Sequence, residues 1–201
     1  MAATIRLATP GDGPALAAIY APAVTDHTTS FELEPPDGDE MARRVERLTG
    51  RTPWIVCEWR SNVIGYAYGG IHRDRWSYQW SVEVSAYVDA SVHRRGVGRA
   101  LYTSLFEVLG MQGYRNAYAG ITLPNPASVR LHEAVGFTTV GTYHGIGYKF
   151  GAWHDVLWLE RPLAPRIEEP GLPIPLPTIV GATQFPTALA AGTLFLRGLE
   201  D

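Results

Sequence analysis

The run Arg94-Arg95-Gly96-Val97-Gly98-Arg99 carries the strongest local chemical signal in the chain. It follows an apolar stretch ending Tyr87-Val88 and leads into Leu101, Leu105, Val108 and Leu109, which have helical spacing. The glycines let the backbone turn sharply and bring its N–H groups against an anion. A helix start adds unsatisfied donors and the positive end of its dipole. Arg94, Arg95 and Arg99 add charge, and the combination suits a pyrophosphate. An ordinary strand-to-helix turn with solvated arginines fits the same local sequence. A P-loop fits poorly, because Gly98 is followed by Arg99-Ala100 rather than by Lys and Ser or Thr. A dinucleotide fold also fits poorly, for want of a third glycine and an early βαβ unit.

Glu83 is the second candidate. Alternation along Trp80 to Val88 puts Glu83, Ser85 and Tyr87 on one face of a strand. A carboxylate amid Trp80, Val82 and Val84 is costly to desolvate, and burial would raise its pKa and make it a better base. The alternatives are a Glu paired with a nearby Arg or one facing water. The third signal is Asn125-Pro126-Ala127-Ser128-Val129-Arg130-Leu131-His132. It reads as a helix capped by Asn125, with Pro126 at its first position and Gly136 at its end. Cys57 is the only cysteine and lies in the apolar run Trp54-Ile55-Val56-Cys57. A buried thiol is expected there rather than a nucleophile.

The elements that must position these groups follow from periodicity. Strands are expected at residues 4–8, 54–59, 63–69, 78–88, 114–121, 138–148 and 155–160, with the 54–59 and 63–69 pair joined by a turn at Ser61-Asn62. One helix starts at Asp12 or Gly13 with Pro14 in its first turn. A second carries Met41, Val45 and Leu48 on one stripe. A third runs through Leu101 to Leu109 and stops at Gly110 or Gly113, and a fourth spans Pro126 to Gly136. The order β-α-α-β-β-β-α-β-α-β-β predicts an α/β (α+β) domain, a mixed sheet with helices packed on it. From Pro162 to Pro177 prolines recur, which reads as an extended linker. Residues 178–197 then read either as a short docking helix or as disorder. The domain is accordingly drawn at 1–162, with 163–201 as a Pro-rich C-terminal extension.

The 201 residues are 46% hydrophobic, enough for one domain with a sizeable core. The net charge of −3 leaves no general basic field for nucleic acid. A single Cys excludes an intrachain disulfide. No signal peptide or spanning helix is expected, so the default location is cytoplasmic with no membrane partner. No metal is expected.

The glycine loop and the Asn125 helix together resemble the GNAT superfamily of acetyltransferases. Its motifs are a Gln/Arg-x-x-Gly-x-Gly/Ala loop and a later Asn-x-x-Ala-x-x-Leu-Tyr-x-x-x-Gly-Phe. Gly96, Gly98, Asn125, Leu131, Gly136 and Phe137 are kept; His93 stands at the Gln/Arg position and His132 at the Tyr position. Residues 4 to 162 further resemble the phosphinothricin and methionine sulfone or sulfoximine acetyltransferase group. The segments that carry this include Ser30-Phe31, Trp80-Ser81-Val82-Glu83, Leu123-Pro124-Asn125, Ser128-Val129-Arg130-Leu131-His132-Glu133-Ala134 and Gly147-Tyr148-Lys149-Phe150-Gly151-Ala152-Trp153-His154-Asp155-Val156.

The resemblance implies a mostly antiparallel sheet with a splayed central strand, acetyl-CoA as co-substrate and a homodimer. It implies direct transfer to the amine of a small amino-acid-like substrate, with Glu83 as base. Glu83 lies five residues before Val88, roughly 16 Å of strand and about the reach of a pantetheine arm. His132 is expected to bind the oxyanion or protonate the thiolate, and Tyr102 to assist proton transfer or line the site. Ala86, Tyr87, Val88, Arg94, Arg95, Gly96, Val97, Gly98, Arg99, Asn125 and Ser128 are expected to hold acetyl-CoA. Arg73 and Arg75 would bind acidic groups of the acceptor as forks. Phe31, Tyr78, Trp153 and Val156 would wall the pocket, and Thr122 stands where some of these enzymes have Gly. Two other readings remain: a GNAT acting on another small amine or a protein N-terminus, and a non-catalytic acyl-CoA sensor.

Overall fold

The computed structural model describes residues 2–200. Seven strands form one sheet in the order β1-β2-β3-β4-β5-β7-β6. They are β1 (Thr4–Leu7), β2 (Trp54–Trp59), β3 (Asn62–Ile71), β4 (Ser81–Val88), β5 (Asn116–Thr122), β6 (Thr138–Lys149) and β7 (Ala152–Pro162). Every pairing is antiparallel except β4 with β5. The four longer helices are α1 (Gly13–Thr25), α2 (Gly38–Thr49), α3 (Val97–Gln112) and α4 (Pro126–Ala134).

Helix ends follow local chemistry. Asp37 caps α2 by accepting the Glu40 N–H at 2.8 Å, and Asn125 caps α4 by accepting the Ser128 N–H at 3.1 Å. Gly96 and Gly113 bound α3 with φ of 81° and 94°, a region costly for any residue with a Cβ. One sheet face packs on α3, where Leu101, Leu105 and Leu109 meet Ile55, Val82 and Val84. The other packs on α1 and α2, where Leu16, Met41 and Val45 meet Trp54, Val56 and Tyr66.

Several expected boundaries shift, three of them for a clear local reason. The strand expected from residue 78 begins at Ser81, because Trp76–Tyr78 coil into a 3-10 turn closed by the Tyr78 N–H on the Arg75 carbonyl at 2.9 Å. The β2–β3 turn centres on Arg60 and Ser61, both at positive φ, while Asn62 already opens β3. The last strand starts at Ala152 rather than 155, because Phe150 and Gly151 turn at positive φ and zip Lys149 opposite Ala152.

The proline-rich stretch is tied down rather than free. The Ile174 N–H donates to the Gln112 carbonyl and the Leu176 N–H to the Arg51 carbonyl. Two short helices follow, α5 (Leu176–Ile179) and α6 (Phe185–Ala190). Their Leu176, Ile179, Phe185 and Ala188 bury against Val108 of α3. Among the described residues no helix is long and apolar enough to cross a membrane.

Candidate active site

β4 pairs with β5 only from Ser81 to Glu83, opposite Asn116 to Tyr118. Beyond Glu83 the two strands part. The Asp89 N–H bonds the Ile64 carbonyl at 3.0 Å on the β3 side. Alternation therefore turns the peptide groups of Ala86 and Val88 toward the open wedge. His93 donates Nε2–H to the Val88 carbonyl at 3.1 Å, so it ties the glycine loop to the end of β4.

The loop itself fits a pyrophosphate. Among the described residues no acceptor takes the N–H groups of Gly96, Val97, Gly98 or Arg99. A Cβ at Gly98 would press on Leu131 of α4, so the glycine also seats α4 against α3. Asn125 spends its side-chain oxygen on its own helix, which leaves its amide nitrogen for any ligand.

Glu83 stands on β4 where the wedge opens. Its side chain is 40% exposed and its pKa is raised, mainly by desolvation, with Arg73 pulling the other way. His72, just past the end of β3, places Nδ1 3.6 Å from Glu83 Oε2. That nitrogen is buried and has no hydrogen-bond partner. The ring stacks on Tyr118 at 4.5 Å and meets Tyr78 and Trp158 edge-on. Burial, and secondarily Arg73, push its pKa down, so His72 is neutral and does not draw Glu83 back to a low pKa. Sequence reasoning missed His72. The β3–β4 register, which sets Gly70 opposite Glu83, is the signal that would have found it.

His132 and Tyr102 are brought together across α4 and α3, and both are buried. His132 Nδ1 lies 2.8 Å from the Ser128 carbonyl, an acceptor only, so Nδ1 carries the hydrogen. Nε2 must then accept, and Tyr102 donates its O–H to it at 2.9 Å. Desolvation lowers the His132 pKa and raises that of Tyr102. Phe106 and Phe137 pack around the pair.

The acceptor-side residues are looser. Arg73 and Tyr78 line one shallow pocket with Gly70 and Val82. Arg75 is exposed at the start of the 3-10 turn. Phe31 packs on Gly147 of β6. Trp153 packs at a tilt against Tyr148 at the β6–β7 hairpin and is 69% exposed. Val156 pairs with Thr122 at the end of β5. Lys149 ties β6 to the α1–α2 loop by donating to the Ser30 carbonyl at 2.6 Å. On the Glu83 face of the sheet, beneath α1 and α2, a cavity of about 250 Å³ is lined by Tyr20, Met41, Arg44, Trp54, Tyr66 and Tyr68. The aromatic floor follows from the register, since Tyr68 pairs with Ser85 and Tyr66 with Tyr87.

Cys57 is fully buried and its thiol is pushed up to about 12 by desolvation. Among the described residues no cluster of three His, Cys, Asp or Glu side chains could hold a metal ion.

Comparison with known proteins agrees with this architecture. The acetyltransferase (GNAT) domain family matches residues 5–158. A phosphinothricin N-acetyltransferase of Streptomyces viridochromogenes is 42% identical over 83% of this chain and 93% of its own. An L-methionine sulfoximine/L-methionine sulfone acetyltransferase of Salmonella typhimurium is 33% identical over 80% of this chain and 94% of its own. A crystal structure of a GNAT superfamily phosphinothricin acetyltransferase from Sinorhizobium meliloti in complex with acetyl-CoA superposes with a TM-score of 0.78. It is 34% identical over 85% of this chain and 96% of its own. A mixed sheet parting beside an unsatisfied glycine loop, and these likenesses over most of the chain, make this protein a member of the GNAT acetyltransferase family, an N-acetyltransferase that uses acetyl-CoA.

Proposed function

We propose that the protein acetylates the amine of a small amino-acid-like acceptor of the phosphinothricin, methionine sulfone or methionine sulfoximine type. Transfer is direct, within a ternary complex, with Glu83 as general base. The observation that carries this reading is the half-buried, pKa-raised carboxylate of Glu83 beside Arg73, at the point where β4 and β5 part. The names of the relatives supply the acceptor class.

The loop N–H groups of Gly96 to Arg99 and the arginines hold the pyrophosphate, and the Ala86 and Val88 peptides line the wedge. Bound acetyl-CoA supplies a thioester carbonyl open to attack by an amine. Arg73 and Arg75 fork the acidic groups of the acceptor, which orients its amine. An amine attacks only when neutral, and Glu83 takes its proton. The raised pKa of Glu83 narrows the gap to the ammonium it must deprotonate. A peptide N–H of the wedge, at Ala86 or Val88, stabilises the developing oxyanion. His132 has no N–H to spare, so the transferable proton of the buried pair sits on Tyr102 Oη. In this reading the tetrahedral intermediate collapses with loss of the C–S bond, coenzyme A leaves as the thiol with the Tyr102 proton, and the proton held by Glu83 restores the Tyr102 hydroxyl; His132 is its positioning partner. The inert Cys57 thiol supports direct transfer over an acetyl-enzyme.

The exposed apolar side chains of the β6–β7 arm, among them Val140, Ile146, Tyr148, Phe150 and Trp153, suit burial in a homodimer. Trp153 would then complete the acceptor site from that interface.

A thiol-release assay with acetyl-CoA tests the function on phosphinothricin, methionine sulfone, methionine sulfoximine and ordinary amino acids. Fast turnover on one of the analogues, lost in Glu83→Gln, is the expected result. Silence on all three, with acetyl-CoA still bound, overturns the acceptor class.

A further inference from the structure

The C-terminal segment lies outside the residues matched by the acetyltransferase domain, yet it bonds directly to the glycine loop. We propose that residues Gly192–Leu199 are a positioning element for acetyl-CoA: they brace the pyrophosphate loop from behind and hold two of its arginines in place. The inference rests on the reading of that loop as the acetyl-CoA site.

The contacts are specific. The Arg197 N–H donates to the Arg95 carbonyl at 3.0 Å. The Arg95 guanidinium returns a bond to the Gly198 carbonyl at 2.7 Å, so loop and segment grip each other in both directions. The Phe195 carbonyl lies directly behind Gly96, where any Cβ would overlap it. Gly96 is therefore constrained twice, by its positive φ and by the segment at its back. The Phe195 ring sits 4.0 Å beneath the Arg99 guanidinium. This stacking restrains a side chain that otherwise has many rotamers.

Both ends of the brace are anchored. Upstream, the Gly192 N–H donates to Ser104 Oγ at 3.0 Å, and Gly192 lies so close to the Ala100 carbonyl that a Cβ would overlap it. Downstream, Leu199 is buried in the main core and its carbonyl accepts the Ala3 N–H at 2.9 Å. Every contact falls on carbonyls, side chains or the Cα of the loop. The N–H groups of Gly96 to Arg99 are left without an acceptor. A segment that blocked the site would have taken those donors; this one fixes their direction and spares them. Donors fixed before binding lose less conformational freedom on binding, which raises affinity without a new ligand contact.

The test is calorimetric binding of coenzyme A together with steady-state kinetics. It uses the full chain, a truncation after Ala191, and the full-length variants Phe195→Ala and Arg197→Pro. The truncation should weaken coenzyme A binding and raise the KM for acetyl-CoA by about tenfold, as expected when a binding loop loses its exact placement. The KM for the amine should stay within about twofold, a selectivity that general loosening of the fold would not give. Phe195→Ala and Arg197→Pro should each show a smaller loss of the same kind, with circular dichroism unchanged. They carry the test if the truncated chain does not fold. Wild-type affinity in both point variants, or in a folded truncation, overturns the brace. Arg94→Glu separates the two readings. If it leaves coenzyme A binding intact, the loop assignment itself falls; if it abolishes binding while the tail variants bind normally, only the brace falls.

Discussion

The two halves of the site are built to different standards. On the side proposed for the cofactor the glycine loop is bounded by a left-handed Gly96, pinned to β4 through His93 and backed by the C-terminal segment. The Tyr102–His132 pair behind it is sealed from water. On the acceptor side Arg73, Arg75, Phe31 and Tyr78 stand exposed on loops and turns, and Trp153 is 69% exposed. A cofactor common to a whole family needs one rigid cradle. An acceptor pocket lined from loops can change its occupant with little cost to the fold. In the proposed mechanism the chemistry lies where the halves meet, at Glu83.

This contrast can be broken at several points. Glu83→Gln should have the largest effect, lowering kcat by about 10² to 10⁴-fold, the usual worth of a general base. Coenzyme A affinity should stay unchanged; a loss of affinity instead would place Glu83 in the cofactor half. Arg73→Ala should raise the KM for the acceptor by roughly ten- to a hundredfold, from loss of a charged hydrogen bond, with the KM for acetyl-CoA unmoved. Tyr102→Phe should lower kcat by about tenfold and leave both KM values near wild type. A kcat equal to wild type would remove Tyr102 from the reaction.

The pH dependence sharpens the same division. A base must be ionised, so the acid limb of kcat/KM should lie above the ordinary glutamate value of 4.5, following the raised Glu83 pKa. Stability runs the other way for this group. Between 4.5 and its raised value the folded state binds more protons than the unfolded state, so stability falls as pH rises through that window. Glu83→Gln should therefore melt no lower than wild type at neutral pH. His132 has the opposite sign. Its pKa is lowered on folding, so the stability it contributes is lost as pH falls below 6.5. His132→Gln should flatten that part of the melting curve. Cys57→Ala should have the smallest effect on turnover, and native Cys57 should resist alkylation until the chain unfolds.

What could be read in the sequence was local. The glycine loop, the Asn125 cap with Pro126 and the Met41–Val45 stripe each depend on neighbours a few residues apart, and they lie where periodicity placed them. Glu83 was legible because alternation within one strand is local too. His72 was not, because its approach to Glu83 depends on the β3–β4 register, which no short window contains. The aromatic cavity has the same origin, since Trp54, Tyr66 and Tyr68 converge only when β2 and β3 pair. The tail was the hardest to read. Its prolines signal extension, but its affinity for α3 rests on scattered residues such as Leu176, Phe185 and Leu199, with no periodic stripe to announce them.

The hydrogen bond from the Ala3 N–H to the Leu199 carbonyl sets the approach to β1 side by side with the end of the brace. Backbone segments that adjoin in this way can be linked in a circular permutation, with the new ends placed in an exposed turn. A short linker from Leu199 to Ala3, with the chain reopened at the Arg60–Ser61 turn, would keep the sheet order and the brace intact. It would also turn the brace into a covalent continuation of β1.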